Sequence, residues 1–524
     1  MPRAVQALPA AMICLFLDFG MTGVPAAEAT NKTATQNDVV TLTVSDRPQH
    51  RMQSGVGASW HSILYPTVGH GGSAFGGTPP IVPRHEKLWS SLEQHADWLA
   101  LKFIRLEMDW RQFEPRRNEF TWDSPEMKIV DRICRWSQRR GADVMLQCMW
   151  LNVGWLSFPE YAGDPALEVV SAPADLDAFA QGWVELLREF RERRGYTCIR
   201  WINLVNEPNC FWWHVPNAKS AAQELQYLVE ATKHVRAALK KAGLDVRVMG
   251  VDMTGLPELG KLAAQPWFEH VDDVDFHCYG SVFDFENPVT PMLNGYPMGD
   301  RLGKTLARYA PEAHEAKKGL YLSEAGTMAY GWGSDNPNPG SFRASLKDTE
   351  LLVRTLQLGI DGFNHWSFTN RGDMDGQWQF VDTWDRKIKQ WLADAAPHEP
   401  SYYVLGLATR HVPKHAIVLA SDISGGEVDG KRRVWAVALR SPKDQSLTLI
   451  AVNDAEKPWT LKVSGQGVAR PLSALHSRQE DGPSRNLAYA SLVVADGTSS
   501  VQLPPFSLTI VTDAPLDPSS PGRF

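Results

Sequence analysis

Eight short apolar runs alternating with long amphipathic ones restrict what this chain can fold into. The runs are Gly55 to Trp60, Phe103 to Leu106, Asp143 to Trp150, Ile199 to Val205, Val246 to Val251, Val274 to His277, Leu320 to Ser323 and Gly362 to Trp366. Each has the length of a strand rather than of an ordinary helix. Between them, segments such as Leu176 to Arg193 repeat Leu176, Phe179, Trp183, Leu186, Leu187 and Phe190 at spacings of three and four, and Ala221 to Lys241 does the same. That period predicts helices with one apolar face. Eight strands separated by helices over about 350 residues predict an α/β fold, a (β/α)8 TIM barrel spanning residues 50–412. The competing topology is a doubly wound open sheet, which places a glycine-rich phosphate turn after its first strand. Here the glycine-rich segment Gly69 to Gly77 is not followed by a helix start, and it reads as a long mobile loop.

Beyond Pro413 the texture changes. Arg433 to Leu439 and Ser446 to Val452 alternate with turn signals, which predicts a small all-β domain, a β-sandwich, over residues 413–514. Val39 to Val44, within an N-terminal strand and linker at 30–49, is also strand-like and is expected to cross over and join that sheet. Residues 1–29 carry Arg3, an apolar run from Ala4 to Val24 and small residues from Pro25 to Ala29, the pattern of a cleavable signal peptide. A secreted or periplasmic location follows. Asp18 interrupts the run, against a membrane span of about 20 uninterrupted apolar residues. Thr30 to Gln36 and the tail at 515–524 read as disordered.

Composition narrows the partners. Lys and Arg total 53 against 60 Asp and Glu, for a net charge of −7 without long like-charge blocks. Nucleic acid and anionic membranes are therefore not the expected partners. The 20 tryptophans supply flat faces that stack on sugar rings as readily as they fill cores. Once Cys14 leaves with the signal, Cys134, Cys148, Cys198, Cys210 and Cys278 remain, without CxxC spacing. Neither a zinc site nor a dense disulfide framework is implied, and a single disulfide stays open.

In a parallel barrel the loops after the C-terminal ends of the strands build the active site. The fourth run leads into Asn206-Glu207-Pro208 and the seventh into Glu324-Ala325-Gly326, so two carboxylates come from nearly opposite sides of the ring. Hydrolysis of a glycosidic bond needs one carboxyl to protonate the leaving oxygen and a second carboxylate to meet positive charge at the anomeric carbon. A glutamate at a strand end also serves as a helix N-terminal residue or a surface partner. The pairing across the ring favours the catalytic reading.

At these positions the sequence resembles clan A of the glycoside hydrolases, retaining barrel enzymes, and among them families 30, 39, 51 and 5. The resemblance covers about residues 50 to 410 and rests on five features in order. They are Asn206-Glu207-Pro208, Glu324, the segment Ile104 to Trp110 followed by Phe113-Glu114-Pro115, His277-Cys278-Tyr279, and His365-Trp366. The stretches Tyr402 to Gly406, Arg410 to Pro413 and Leu503 to Leu508 resemble families 30, 39 and 51, which append a β-sandwich. The resemblance implies Glu207 as general acid/base and Glu324 as nucleophile. It also implies Asn206 on the sugar's 2-hydroxyl, Tyr279 holding Glu324, and Trp366 as the sugar-stacking floor. Arg105 is expected beside Glu324, where a cation favours the ionised carboxyl, or else in a purely structural ion pair. His277 lines the pocket or is a satisfied strand histidine. Trp60, His61, Trp150, Asn152, Trp212, Trp213 and Trp332 each read as subsite or as packing. The chain departs from some clan members at Gln147-Cys148-Met149-Trp150, where a histidine is common.

The implied activity is hydrolysis of β-glycosidic bonds in a plant or microbial polysaccharide, oligosaccharide or glycoconjugate, with no cofactor and no metal. A catalytically inactive carbohydrate-binding barrel is the alternative, and both glutamates count against it. A metal-dependent hydrolase built on His277 lacks paired histidines on one element. Arg371-Gly372-Asp373 and Asp373-Met374-Asp375-Gly376 read as turn chemistry, because the further oxygen ligands of a calcium loop are missing.

Overall fold

The computed structural model describes residues 38–62, 77–209, 213–254, 261–278, 302–326, 341–369, 378–385, 387–478, 487–495 and 497–516. Residues 1–29, read above as a signal peptide, Thr30 to Gln36, residues 63–76, Cys210, Trp212, Tyr279, Trp332, residues 371–376 and residues 517–524 lie outside that range.

A first strand, β1 (Val39–Arg51), precedes eight parallel strands that close into a barrel: β2 (Val56–His61), β3 (Phe103–Met108), β4 (Asp143–Cys148), β5 (Ile199–Asn203), β6 (Arg247–Thr254), β7 (Asp273–Cys278), β8 (Leu320–Ala325) and β9 (Gly362–His365). Closure comes from β2 pairing with both β3 and β9. Each of the eight apolar runs supplies one of these strands. Helices Glu86–Leu99, Pro125–Arg140, Leu176–Leu187, Ala221–Ala242, Leu302–Glu315 and Phe342–Gln357 cover the outside. With helices on one face and the barrel interior on the other, most of these strands are buried end to end. Neighbouring barrel strands approach closely in places. A Cβ on Gly57 of β2 would lie 1.7 Å from the Phe103 carbonyl oxygen, so only glycine fits there.

The floor of the barrel is an apolar layer of Phe103, Met145, Trp201, Met249 and Tyr321. Above it the inward positions become polar. Ser59 Oγ donates to Asn364 Oδ1 at 2.9 Å, and Asn203 Nδ2 donates to Asp275 Oδ2 at 2.9 Å. Period-two alternation also decides a residue that the sequence left open. On β2, His61 faces the axis, so its neighbour Trp60 faces out, against Trp89, Trp136 and Phe368 in the helix layer. Trp60 is fully buried there, so of its two readings the structure supports packing and not a substrate subsite.

The C-terminal part forms a ten-stranded sheet in which β1 lies between Ile417–Ser424, antiparallel, and Trp459–Ser464, parallel. The N-terminal strand thus joins the C-terminal sheet. One apolar cluster combines Val40, Leu42 and Val44 of β1 with Leu449, Leu461, Ala474, Val501 and Val511, drawn from both halves of the strand order, which makes the sheet a sandwich. The alternate residues Val437, Leu439, Ile450, Val452, Leu508 and Ile510 belong to the barrel's own core. Both faces of these central strands are therefore apolar. Polar contacts complete the join. Arg343 pairs with Asp454 at 3.0 Å, Lys347 pairs with the same carboxylate, and Arg354 stacks 3.9 Å over the Trp435 ring.

Replacing Trp60 by Ala is expected to cost about 3–5 kcal/mol in chemical denaturation, the range for removing a large aromatic from a packed core. A loss under 1 kcal/mol would contradict its placement in the helix layer.

Candidate active site

The polar upper end of the barrel is built from strand ends. Past Asn203 the chain leaves β5, and at Glu207 it turns left-handed, with φ of 43°. The Glu207 N–H donates to the Asp252 carbonyl at 3.1 Å, and Asp252 is itself left-handed, with φ of 56°. Such backbone is uncommon for residues other than glycine and aims these side chains where a continuing strand would not. On β8 the register shifts against β7 between Phe276 and His277 and against β9 between Leu322 and Ala325, which re-aims Glu324 at the strand end.

Arg105 joins these residues. Its Nη1 donates to Glu324 Oε2 at 2.5 Å and to Glu107, and its Nη2 donates to Asn206 Oδ1 at 2.7 Å and Asp252 Oδ2 at 2.9 Å. Because the Asn206 oxygen is held by Arg105, the amide NH2 is the end left for a ligand. His277 bridges two carboxylates, from Nδ1 to Glu207 Oε1 at 2.8 Å and from Nε2 to Asp252 Oδ1 at 2.9 Å, and its Nδ1 lies 3.7 Å from Glu324 Oε2. Deeper still, Asp275 Oδ1 accepts the Asp252 N–H at 2.8 Å.

This geometry sets the charges. Burial opposes protonation of His277, but Asp252 and then Glu324, with the bonds to Asp252 and Glu207, hold its pKa well above the ordinary value. Burial likewise opposes the charge on Asp252, yet Arg105 and His277 keep its carboxyl below the usual carboxylate range. Burial and the neighbouring Asp252 charge push the Asp275 carboxyl well up. Burial also pushes Glu324 up to about 7, against the pull of His277 and Arg105, while Glu207 and Glu107 add to the rise. Arg105 thus lies beside Glu324 and favours its charged form, as expected, but burial outweighs that pull. One guanidinium divided among Glu107, Asp252 and Glu324 does not offset the burial of the last. Nor is Arg105 exposed to bind substrate, since it is enclosed by these partners and fully buried.

The two glutamates differ in access. The Glu207 side chain is 16% exposed and that of Glu324 6%. One oxygen of each, together with a His277 nitrogen, lies within 4.8 Å of the others. Such a triad has the outline of a metal site. With both ring nitrogens donating to carboxylates, however, a charged His277 has no lone pair for an ion.

Trp366 and Trp150 pack together with Trp378 and Met149, and the Trp366 ring meets His61 edge-on at 4.8 Å. His61 in turn bonds Glu107 at 2.5 Å. Three buried polar atoms in these segments, His61 Nε2, Gln147 Oε1 and Asn152 Nδ2, have no partner among the described residues. Trp213 is instead a packing residue beside Phe179 and Tyr227. Cys134, Cys148, Cys198 and Cys278 are buried free thiols. Sequence reasoning missed Asp252 and Asp275. The rule that located the glutamates, reading the first polar residue past each apolar run, points equally to Asp252 after Val246 to Val251. Asp275 had no such signal, because it sits within a strand.

No protein-family model and no curated protein sequence matches the chain. Solved structures do match it in fold. A glycoside hydrolase family 30 subfamily 8 xylanase from Clostridium acetobutylicum superposes over 91% of this chain and 100% of its own, with a TM-score of 0.56 and 13% identity. The catalytic domain of a family 30 xylanase C from Talaromyces cellulolyticus covers 90% and 99%, with a TM-score of 0.59 and 14% identity. A family 51 α-L-arabinofuranosidase from Bifidobacterium longum covers 91% and 100%, with a TM-score of 0.57 and 16% identity. The chain thus has the barrel-plus-sheet fold of clan A glycoside hydrolases along almost its whole length. At these identities the likeness is one of fold.

The raised Glu324 carboxyl carries a stability signature. The native state holds this proton more tightly than the unfolded chain, so the contribution is fully present below the ordinary value of 4.5 and is lost as pH rises through about 7. Glu324→Gln is expected to be more stable than the parent by about 1–3 kcal/mol above pH 8, with the gap closing below pH 4.5. Chemical denaturation at the two pH values measures it, and a constant gap would contradict the assignment.

Proposed function

We propose that the protein is an exported retaining β-glycoside hydrolase working by double displacement on a polysaccharide, oligosaccharide or glycoconjugate. The observation that carries this reading is the approach of the Glu207 and Glu324 carboxylates to within 4.8 Å. Retaining enzymes keep their carboxyl groups about 5–5.5 Å apart, whereas inverting ones hold them about 6.5–9.5 Å apart to admit a water. The fold shared with family 30 and 51 structures supports the same reading.

In this mechanism Glu324 Oε attacks the anomeric carbon while Glu207 gives its proton to the departing oxygen. A glycosyl ester on Glu324 results. Glu207 then takes a proton from water, which attacks the same carbon and frees Glu324. The roles follow access, since the more exposed Glu207 reaches leaving groups and water, and the enclosed Glu324 meets one carbon. The His277 bond keeps Glu207 Oε1 occupied, so the other oxygen carries the travelling proton. Asn206, oriented by Arg105, donates to a sugar hydroxyl. The unpartnered His61, Gln147 and Asn152 atoms suit a ligand that offers both donors and acceptors, as a sugar does. Trp366 and Trp150 provide apolar wall.

Glu324→Gln is expected to lower kcat on any aryl glycoside at least about 10⁴-fold. Glu207→Ala should retain glycosylation by substrates with good leaving groups and be rescued by azide, giving a glycosyl azide of retained configuration. Near-parental turnover in the first variant, or an inverted product from the parent protein, would end the proposal. Because attack needs the Glu324 anion, kcat/KM should fall as pH drops through about 7. A flat profile down to pH 5 would contradict that.

A further inference from the structure

A second cluster lies at the opposite, N-terminal end of the barrel, where β1 leaves the sandwich. His50 near the end of β1, His314 in the last turn of helix Leu302–Glu315, and Asp361 just ahead of β9 bring together three ligating atoms, each within 4.8 Å of the others. His314 Nε2 lies 2.8 Å from Asp361 Oδ2 and His50 Nε2 lies 3.5 Å from Asp361 Oδ1. The imidazoles stack with centroids 4.6 Å apart.

We propose that these residues form a binding site for a divalent first-row transition-metal ion, with zinc as the probe. Two imidazole nitrogens and one carboxylate are a donor set for zinc, nickel or copper rather than for calcium or magnesium. The carboxylate is fixed in advance. Asp361 Oδ1 accepts the Gln53 N–H at 3.1 Å and Oδ2 accepts the Leu320 N–H at 2.9 Å, each oxygen keeping a further lone pair.

Access is graded, the side chains of Asp361, His50 and His314 being 1%, 11% and 31% exposed. An ion therefore enters from the His314 side. Zinc–nitrogen bonds of about 2.0–2.1 Å require the parallel rings to open, and the more exposed His314 can tilt to do so. The ion displaces the proton shared by His314 and Asp361, replaces the His50 Nε2 contact to the Ile360 carbonyl at 3.2 Å as the His50 proton moves to Nδ1, and leaves a fourth position for water. Unlike His277, neither ring is clamped between two carboxylates. Because the three ligands come from the sandwich strand, a barrel helix and the entry to β9, occupancy would tie the two parts of the molecule together.

The test uses the full protein freed of metal by a chelator, titrated with zinc by calorimetry and melted at several zinc concentrations. One equivalent should bind, and the melting temperature should climb with the logarithm of free zinc. His314→Ala, and separately His50→Gln in case the first fails to fold, should weaken that binding about 100-fold or more. Glu324→Gln should leave it unchanged. Absence of a bound equivalent, parental affinity in a folded His314→Ala or His50→Gln variant, or loss of the equivalent in Glu324→Gln would each overturn the proposal.

Discussion

The upper end of the barrel is organised by the guanidinium of Arg105. A planar fork with its charge spread over several donors can serve acceptors arriving from different strands, which an ammonium at one point cannot. Here it gathers Glu107 from its own strand, Asn206 from beyond β5, Asp252 from β6 and Glu324 from β8. A buried charge of this kind is tolerated only because every partner is close and hydrogen-bonded. Glu324 and Asn206 inherit their positions from it, and Asp252, fixed by the same group, fixes His277 in turn.

The consequence is a site with more buried carboxylates than cations. Burial makes that excess negative charge costly and favours the protonated forms of the carboxyls. The Asp275 carboxyl is pushed well up deep in the barrel, and that of Glu324 up to about 7. His277 answers from the other side as a buried cation between Asp252 and Glu207. The apolar floor of Phe103, Met145, Trp201, Met249 and Tyr321 separates this network from the lower end of the barrel and keeps its dielectric low. The burial that makes Arg105 an effective organiser also prevents it from holding Glu324 in a readily ionised state.

Much of this was legible in residue order. The eight barrel strands are the eight apolar runs, because a strand covered on both faces must be apolar nearly throughout. Glu207 and Glu324 were legible because a strand that closes a barrel must turn polar where it emerges. The addition of β1 to the C-terminal sheet followed from a strand-like segment with no barrel partner to pair with. Trp60 was not resolved in this way, since strand alternation says that neighbours face opposite sides without saying which side is the pocket. His61, bonded to Glu107, is what decides it.

The sequence by itself determined the architecture and the identity of the paired glutamates, because hydrophobic periodicity and strand ends are local properties of the chain. Only the tertiary structure decided how those glutamates are charged, and that Asp252 and Asp275 belong beside them. The reason is physical. A pKa responds to burial and to charges a few ångströms away in space, and these charges come from strands separated by up to 219 positions along the chain, as Arg105 and Glu324 are. The gathering of His50, His314 and Asp361 at the other end of the barrel is likewise a product of closure, invisible until β1, a helix and β9 meet.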